Sequence, residues 1–175
     1  TMSSVVDAVG ADVLRFIMLT RKNDASLDFD IVKVKEQSKD NPVYYVQYAN
    51  VRINSLYKKA IDLGLDLNKD IKNINFKLLV NSSEINLIKI IAKWPRQVEA
   101  AAKANEPHRI TFYLNDLVAT FHHSWSLGNS SPEYRYIIKD DINLTIARLS
   151  LAKAVKIVIS SGLSIIGVRP IESSS

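Results

Sequence analysis

The chain has 175 residues, enough for one domain or slightly more with a core that needs no covalent staples. Apolar residues make up 47% and there are only five glycines and five prolines, which excludes a disordered or fibrous chain. The lack of cysteine excludes disulfides and cysteine–metal sites, and fits a reducing compartment. Lysine and arginine outnumber acids 23 to 18, and this net charge of +5 suits a polyanionic partner without demonstrating one.

In chain order, residues 3–10 read as a short helix with a serine cap and Gly10 as its stop. Residues 11–20 are apolar on nearly all sides except at Asp12 and Arg15, which predicts a short buried helix. A polar break at 21–24 leads through 27–30 to a further helix over 31–37, with Asp30 as its cap. The longest helix follows at 41–63. Asn41 caps it, Pro42 takes the first helical position, where its missing N–H costs nothing, and Gly64 stops it. Val46, Ala49, Ile53, Leu56, Ala60 and Leu63 recur at helical steps and form its inner stripe.

Residues 65–81 are rich in asparagine, including Asn68, Asn73, Asn75 and Asn81, and read as a loop. A helix then starts at Ser82 or Ser83, with Ile85, Ile88 and Ile91 inward, and Trp94-Pro95 interrupts it. Pro95 opens a fresh helix to about Asn105. Pro107 opens another to about Trp125, with Ile110, Leu114, Leu117, Phe121 and Trp125 as its buried stripe. Residues 127–141 read as an exposed loop, mobile at 128–131. The last helix spans 142–161, with Leu144, Ala147, Leu151, Ala154 and Val158 inward; Gly162 ends it, and 163–168 folds back onto the bundle. No strand alternation of useful length and no internal repeat occurs. The fold class expected is all-α, a helical bundle with short connections. The longest apolar runs are too short to cross a bilayer, and residues 1–10 carry no basic leader pattern, so no membrane association is expected.

Catalytic patterns are missing. The five glycines are scattered, so no phosphate-cradling loop forms, and no nucleophile elbow is present. The adjacent His122 and His123 point to different sides of a helix and lack zinc-site partners. The chain reads instead as a binding domain. Tyr44, Tyr48, Arg52, Ser55 and Lys59 share the outward face of the long helix. His108, Arg109, Tyr113 and Asn115 lie near the start of another helix, and His123, Trp125, Tyr134, Arg135 and Tyr136 follow. Interleaved rings and cations suit single-stranded RNA, where splayed bases stack and phosphates are neutralised. The competing reading is that these tyrosines pack between helices and that Arg52 makes a structural ion pair.

Three segments add a family resemblance. Residues 9–16, VGADVLRF, resemble the Asp-Ala-Leu-Arg signature of class I aminoacyl-tRNA synthetases, with Val13 in place of the alanine. Residues 27–30, 35–38 and 41–49, the last reading NPVYYVQYA, resemble the arginyl-tRNA synthetase version of that region. Pro107-His108-Arg109, Tyr113-Leu114 and the Gly162–Val168 ending resemble the same family's C-terminal anticodon-binding domain. The resemblance implies an all-α bundle of the class I synthetase anticodon-binding type over 39–175, preceded over 1–38 by a helical linker from a catalytic domain. It implies a parent arginine–tRNA ligase, cytoplasmic and monomeric, that uses ATP with magnesium. The ATP-binding motifs have no counterpart in these residues, so no cofactor is expected here, and the chain alone is expected to be inactive.

The partners implied are the anticodon stem-loop of tRNA-Arg and the catalytic domain of the same chain. On matching positions the tRNA-binding residues would be Tyr44, Gln47, Tyr48, Arg52, Lys59, His108, Arg109 and Tyr113. The tyrosines would stack on anticodon bases, including the central cytidine shared by arginine tRNAs, while Arg52 and Arg109 would meet phosphate or a base edge. Gln47 would hydrogen-bond a base or satisfy a neighbouring backbone group. Tyr45 is assigned to packing, and Arg15 to an ion pair or helix end. The family's C-terminal methionine is lacking, and Ile171 is the residue available to replace it. The alternatives are the anticodon domain of a related class I synthetase, or a helical protein–protein interaction module with aromatic hot spots.

Overall fold

The computed structural model describes residues 6, 9–20, 34, 41–65 and 74–171, and no strand occurs among them. The helices bounded within these residues are α1 (Ala11–Leu19), α2 (Pro42–Asp62), α3 (Ser82–Ala92), α4 (Trp94–Ala104), α5 (His108–Ser130) and α6 (Ile142–Ile165). Short 3-10 turns lie at Phe76–Leu78 and Pro132–Tyr134. The expected cap at Ser3, the break at 21–24, the segment 27–30, the helix at 31–37 apart from residue 34, which is helical, and Asn68 and Asn73 of the loop fall outside the described residues.

Helix α5 is the axis of the bundle, in contact with α1, α2, α3, α4 and α6. Helix α2 begins as its sequence dictates. Asn41 Oδ1 accepts from the Val43 and Tyr44 amides at 3.1 and 3.2 Å, with Pro42 at the first position. It ends at Gly64, whose φ of 81° only glycine adopts without strain. Val46, Ala49, Ile53 and Ala60 are fully buried against the core, whereas Leu63, the last of the expected stripe, is exposed. Helix α1 is less buried than its composition predicts: Leu14 and Phe16 point inward, and Met18 is exposed. Phe16 joins the same core as α2 and α5.

Two glycines, Gly128 expected in a loop and Gly162 expected to end a helix, lie inside helices. Helix α5 continues to Ser130, so the loop expected from 127 starts four residues later, and Gly128 is buried rather than mobile. The backbone at 134–135 crosses directly over it, and a Cβ there would stand 3.1 Å from Arg135 Cα. Helix α6 likewise passes through Gly162 to Ile165. A Cβ on Gly162 would meet the Leu114 side chain at 2.7 Å, so this glycine lets α5 and α6 approach closely. The left-handed position that follows α6 is Gly167, with φ of 70°.

Helix α3 is rotated from expectation. Leu87 is fully buried, Ile85 and Ile91 are half-buried, and Ile88 is exposed. The inward face is Ser83, Glu84 and Leu87, because Glu84 is committed to the interior. Its Oε2 accepts from the Asn81 amide at 2.9 Å, closing a capping box, and its Oε1 accepts from Arg148 Nε at 2.6 Å. Arg148 Nη1 also donates to the carbonyls of Glu133 (2.7 Å) and Arg135 (2.6 Å). Both side chains of this pair are more than nine-tenths buried.

Removing one partner of such a pair strands the other charge away from water. Arg148→Ala is expected to lower stability by about 3–5 kcal/mol, read as a shift in the chemical-denaturation midpoint.

Candidate nucleic-acid interface

Residues four apart on a helix advance only 40° beyond a full turn, so Tyr44, Tyr48 and Arg52 form a row that leans gradually toward α5. The rings of Tyr44 and Tyr48 stack at 5.6 Å with planes 11° apart. The Arg52 guanidinium lies 4.4 Å from the Tyr48 ring centre and 5.1 Å from that of Trp125 on α5. All four residues are half-buried, so the row is a wettable face and not core.

His122 holds this row in place. Arg52 Nη1 contacts its Nδ1 at 2.8 Å, and its Nε2 lies 3.1 Å from the Tyr45 carbonyl. A guanidinium only donates, so Nδ1 is the acceptor; Nε2 therefore carries the proton and donates to Tyr45. Burial is the main cause that pushes the His122 pKa down to about 4, with the Arg52 charge adding to it and the Tyr45 hydrogen bond opposing. The imidazole is thus neutral at ordinary pH. Its neighbour His123 faces solvent, as adjacent helical positions require. His122 is a site residue that the aromatic and cationic pattern did not single out. Its spacing from Val118 and Trp125, four and three residues, places it on the buried face of α5.

Farther along α2, residues of α2, α5 and the segment after α5 line an open groove of about 570 Å³. Leu56, Lys59, Asp62 and Leu63 line one side. Trp125, Gly128 and Asn129 line the other, and the chain from Arg135 through Ile137 to Lys139 closes the end. Tyr136 fixes that closing segment. It is buried, it packs on Phe121 and Trp125, and its hydroxyl donates to Ser124 Oγ at 3.2 Å. Arg135 Nε donates to the Gly128 carbonyl at 3.2 Å.

The structure thus brings together Tyr44, Tyr48 and Arg52, while Lys59, about 10 Å beyond Arg52 along α2, is linked to that row only through the groove it lines with Trp125. It does not bring the other expected residues to them. His108 and Arg109 lie at the opposite end of α5, about 21 Å along its axis from His122; His108 meets Phe112 edge-on and Arg109 pairs with Glu106. Tyr113 is buried against Trp94 and donates to the Ile90 carbonyl at 2.8 Å, so its ring and hydroxyl are both occupied. Burial raises its pKa to about 12. Gln47 is buried as well. Its Nε2 donates to the Arg169 carbonyl and its Oε1 accepts from the Ile171 amide, both at 2.8 Å, so the backbone-satisfying role is the one it fills. Asn50, one turn on, donates to the Ile171 carbonyl at 2.6 Å. The final segment is therefore strapped along α2 with the Ile171 side chain half exposed. Asp12 and Arg15 of α1 grip the same segment, at the Arg169 amide and the Gly167 carbonyl, and pair with each other. Among the described residues, no group of three or more His, Asp or Glu side chains could hold a metal ion, and no helix is long and apolar enough to cross a membrane.

Residues 46–173 match the family model described as the DALR anticodon binding domain. The chain is 52% identical over 173 residues to the arginine–tRNA ligase of Cereibacter sphaeroides, covering 98% of this chain and 30% of that protein. It is 50% identical over 172 residues to the arginine–tRNA ligase of Ehrlichia chaffeensis, covering 98% of this chain and 29% of the relative. A Campylobacter jejuni structure assigned as an arginyl-tRNA synthetase superposes with a TM-score of 0.82 at 29% identity, over 99% of this chain and 36% of that one. The Thermus thermophilus arginyl-tRNA synthetase shares the fold, with a TM-score of 0.72 at 21% identity over 95% of this chain and 27% of its own.

The depressed pKa of His122 makes the stability of the fold depend on pH. An unfolded chain binds a proton at this residue below pH 6.5 and the folded chain does so only near 4, so stability falls as pH drops from 6.5 toward 4. His122→Gln, which keeps an acceptor for Arg52 and a donor for Tyr45, is expected to flatten that part of the melting-temperature profile relative to the parent chain.

Proposed function

The chain belongs to the DALR anticodon binding domain family, and from that premise we propose that it is the anticodon-recognising part of an arginine–tRNA ligase. It spans about 30% of the length of the curated relatives it matches, so the ligase activity belongs to this reading and rests on a catalytic body beyond these residues. In that whole enzyme, cytoplasmic and monomeric, ATP with magnesium activates arginine in the catalytic domain, to which residues 1–38 connect. The bundle holds the anticodon stem-loop of tRNA-Arg.

One observation carries the reading: the half-exposed ladder of Tyr44, Tyr48, Arg52 and Trp125, in which rings and a guanidinium follow one another in stacked contact along one side of α2. Unpaired bases stack on such surfaces with little regard to identity, each for about 1–3 kcal/mol. Because Arg52 lies between two rings and spends one donor on His122, its flat face is a rung of the ladder as well as a charge. Lys59 and Arg135 stand where a strand leaving the ladder would bring its phosphates. Gln47 and Tyr113, occupied inside the fold, shape the surface without touching RNA.

Tyr48→Ala is expected to weaken binding of the tRNA-Arg anticodon stem-loop roughly tenfold or more, with the helical circular dichroism unchanged. Unaltered affinity would remove the ladder from the binding site. The chain alone is expected to give no arginine-dependent pyrophosphate exchange; measurable exchange would show that activation does not need the further domain.

A further inference from the structure

Helix α6 ends in a motif that turns the chain back across α1 and α2. The Val168 amide donates to the Leu163 carbonyl at 2.8 Å and the Gly167 amide to that of Ser164 at 3.0 Å, with Gly167 left-handed. Two helices then take up the peptide groups that follow. On α1, Arg15 Nη1 donates to the Gly167 carbonyl, and Asp12 Oδ2 accepts from the Arg169 amide at 3.1 Å. On α2, Gln47 and Asn50 hold the Arg169 carbonyl and both peptide groups of Ile171. Arg15 reaches its carbonyl because residue 167 is glycine: a Cβ there would stand 3.2 Å from Nη1 and 3.4 Å from Cδ.

The α1 half of this clasp contributes little to stability. Asp12 and Arg15 pair with each other only at 3.5 Å, and their side chains are 37% and 48% exposed. What the clasp does is hold a chain end that would otherwise fray. At its tip the apolar Ile171 side chain stands half exposed. Gln47, which accepts from the Ile171 amide, lies about 60° around α2 from Tyr44, so the tip sits beside the tyrosine row.

We propose that Asp12 and Arg15 are positioning residues of the RNA-binding surface. They fix the chain from 167 to 171, and so set where Ile171 bounds the Tyr44 end of the ladder as an apolar contact for a loop base. The proposal rests on the anticodon reading and adds to it two α1 side chains that act without touching RNA. The two positions have different requirements. Position 12 needs an acceptor and not a charge, so asparagine serves there. Position 15 needs a long donor, so lysine serves in part.

The test measures binding of the tRNA-Arg anticodon stem-loop by variants of the 175-residue chain, with the melting temperature of each followed alongside. Asp12→Ala and Arg15→Ala are each expected to weaken binding about three- to tenfold, the size of one net hydrogen bond. The salt dependence of binding is expected to stay that of the parent. Asp12→Asn is expected to keep the parent affinity, and Arg15→Lys to recover part of it. Amide exchange at Arg169 is expected to quicken in Asp12→Ala. Ile171→Ala is expected to weaken binding by itself, and in that background neither alanine substitution on α1 should weaken it further, because the group they position is gone. Should Arg15→Ala melt early, Asp12→Ala decides alone.

Three outcomes overturn the proposal. Losses that persist undiminished beside Ile171→Ala show that α1 acts by another route. A shallower salt dependence in Arg15→Ala shows that its guanidinium meets a phosphate directly. Unchanged affinity in both alanine variants shows that the placement of the tail is immaterial to binding. In each case the ladder reading survives as long as Tyr48→Ala still weakens binding, whereas a parent chain that does not bind the stem-loop removes both.

Discussion

The buried pair between Arg148 and Glu84 is the constraint on which the rest of the structure depends. It joins α6 to the first turn of α3, and through two backbone carbonyls it also fixes the segment that follows α5. An arginine withdrawn from water must satisfy its donors, and here the carboxylate and the carbonyls of Glu133 and Arg135 do so together. The consequences travel outward. The anchored segment sends Tyr136 into the core beside Phe121 and Trp125, and so sets the tilt of the indole that receives Arg52. A charge pair deep in the bundle thereby determines the geometry of a surface some distance away.

The interface itself follows the same logic of committed polar groups. His122 has one acceptor and one donor and uses both, which leaves the guanidinium of Arg52 a single resting place between two rings. Gln47 and Asn50, on the flank of α2 beside the tyrosine row, serve the final segment of the chain. If the proposed anticodon reading holds, bases would meet a surface whose side chains are already ordered, and less conformational entropy would be lost on binding than at a surface of free lysines.

Much of this was legible in the sequence because the signals were local. Asn41-Pro42 and Gly64 mark the ends of α2, Trp94-Pro95 marks the break between α3 and α4, and the steps of three and four residues separate the buried face of α2 from the tyrosine face. The failures share one cause: they depend on what lies opposite. Gly128 looks like part of a loop and Gly162 like a helix stop, and only a crossing backbone or the Leu114 side chain explains why they are glycine within helices. Glu84 looks like an outward acid until Arg148 is seen, and Arg148 is a lone cation in an otherwise apolar stretch of α6. Tyr113 and Tyr48 cannot be told apart by residue type. One has the Ile90 carbonyl within reach and the other has Tyr44. The groove was not foreseeable at all, since it is a gap between elements distant in sequence, although Lys59, Trp125 and Arg135 could each be singled out.

The way the last segment is fastened has an evolutionary corollary. Gln47 and Asn50 grasp only peptide atoms, and nothing in their hold depends on which amino acid supplies them. Such a fastening works like a chuck that accepts interchangeable bits: the tip at position 171 can be exchanged for another shape while its height and angle over α2 stay the same. Divergence in that tip can therefore retune what the surface prefers without any need to refold the bundle that carries it.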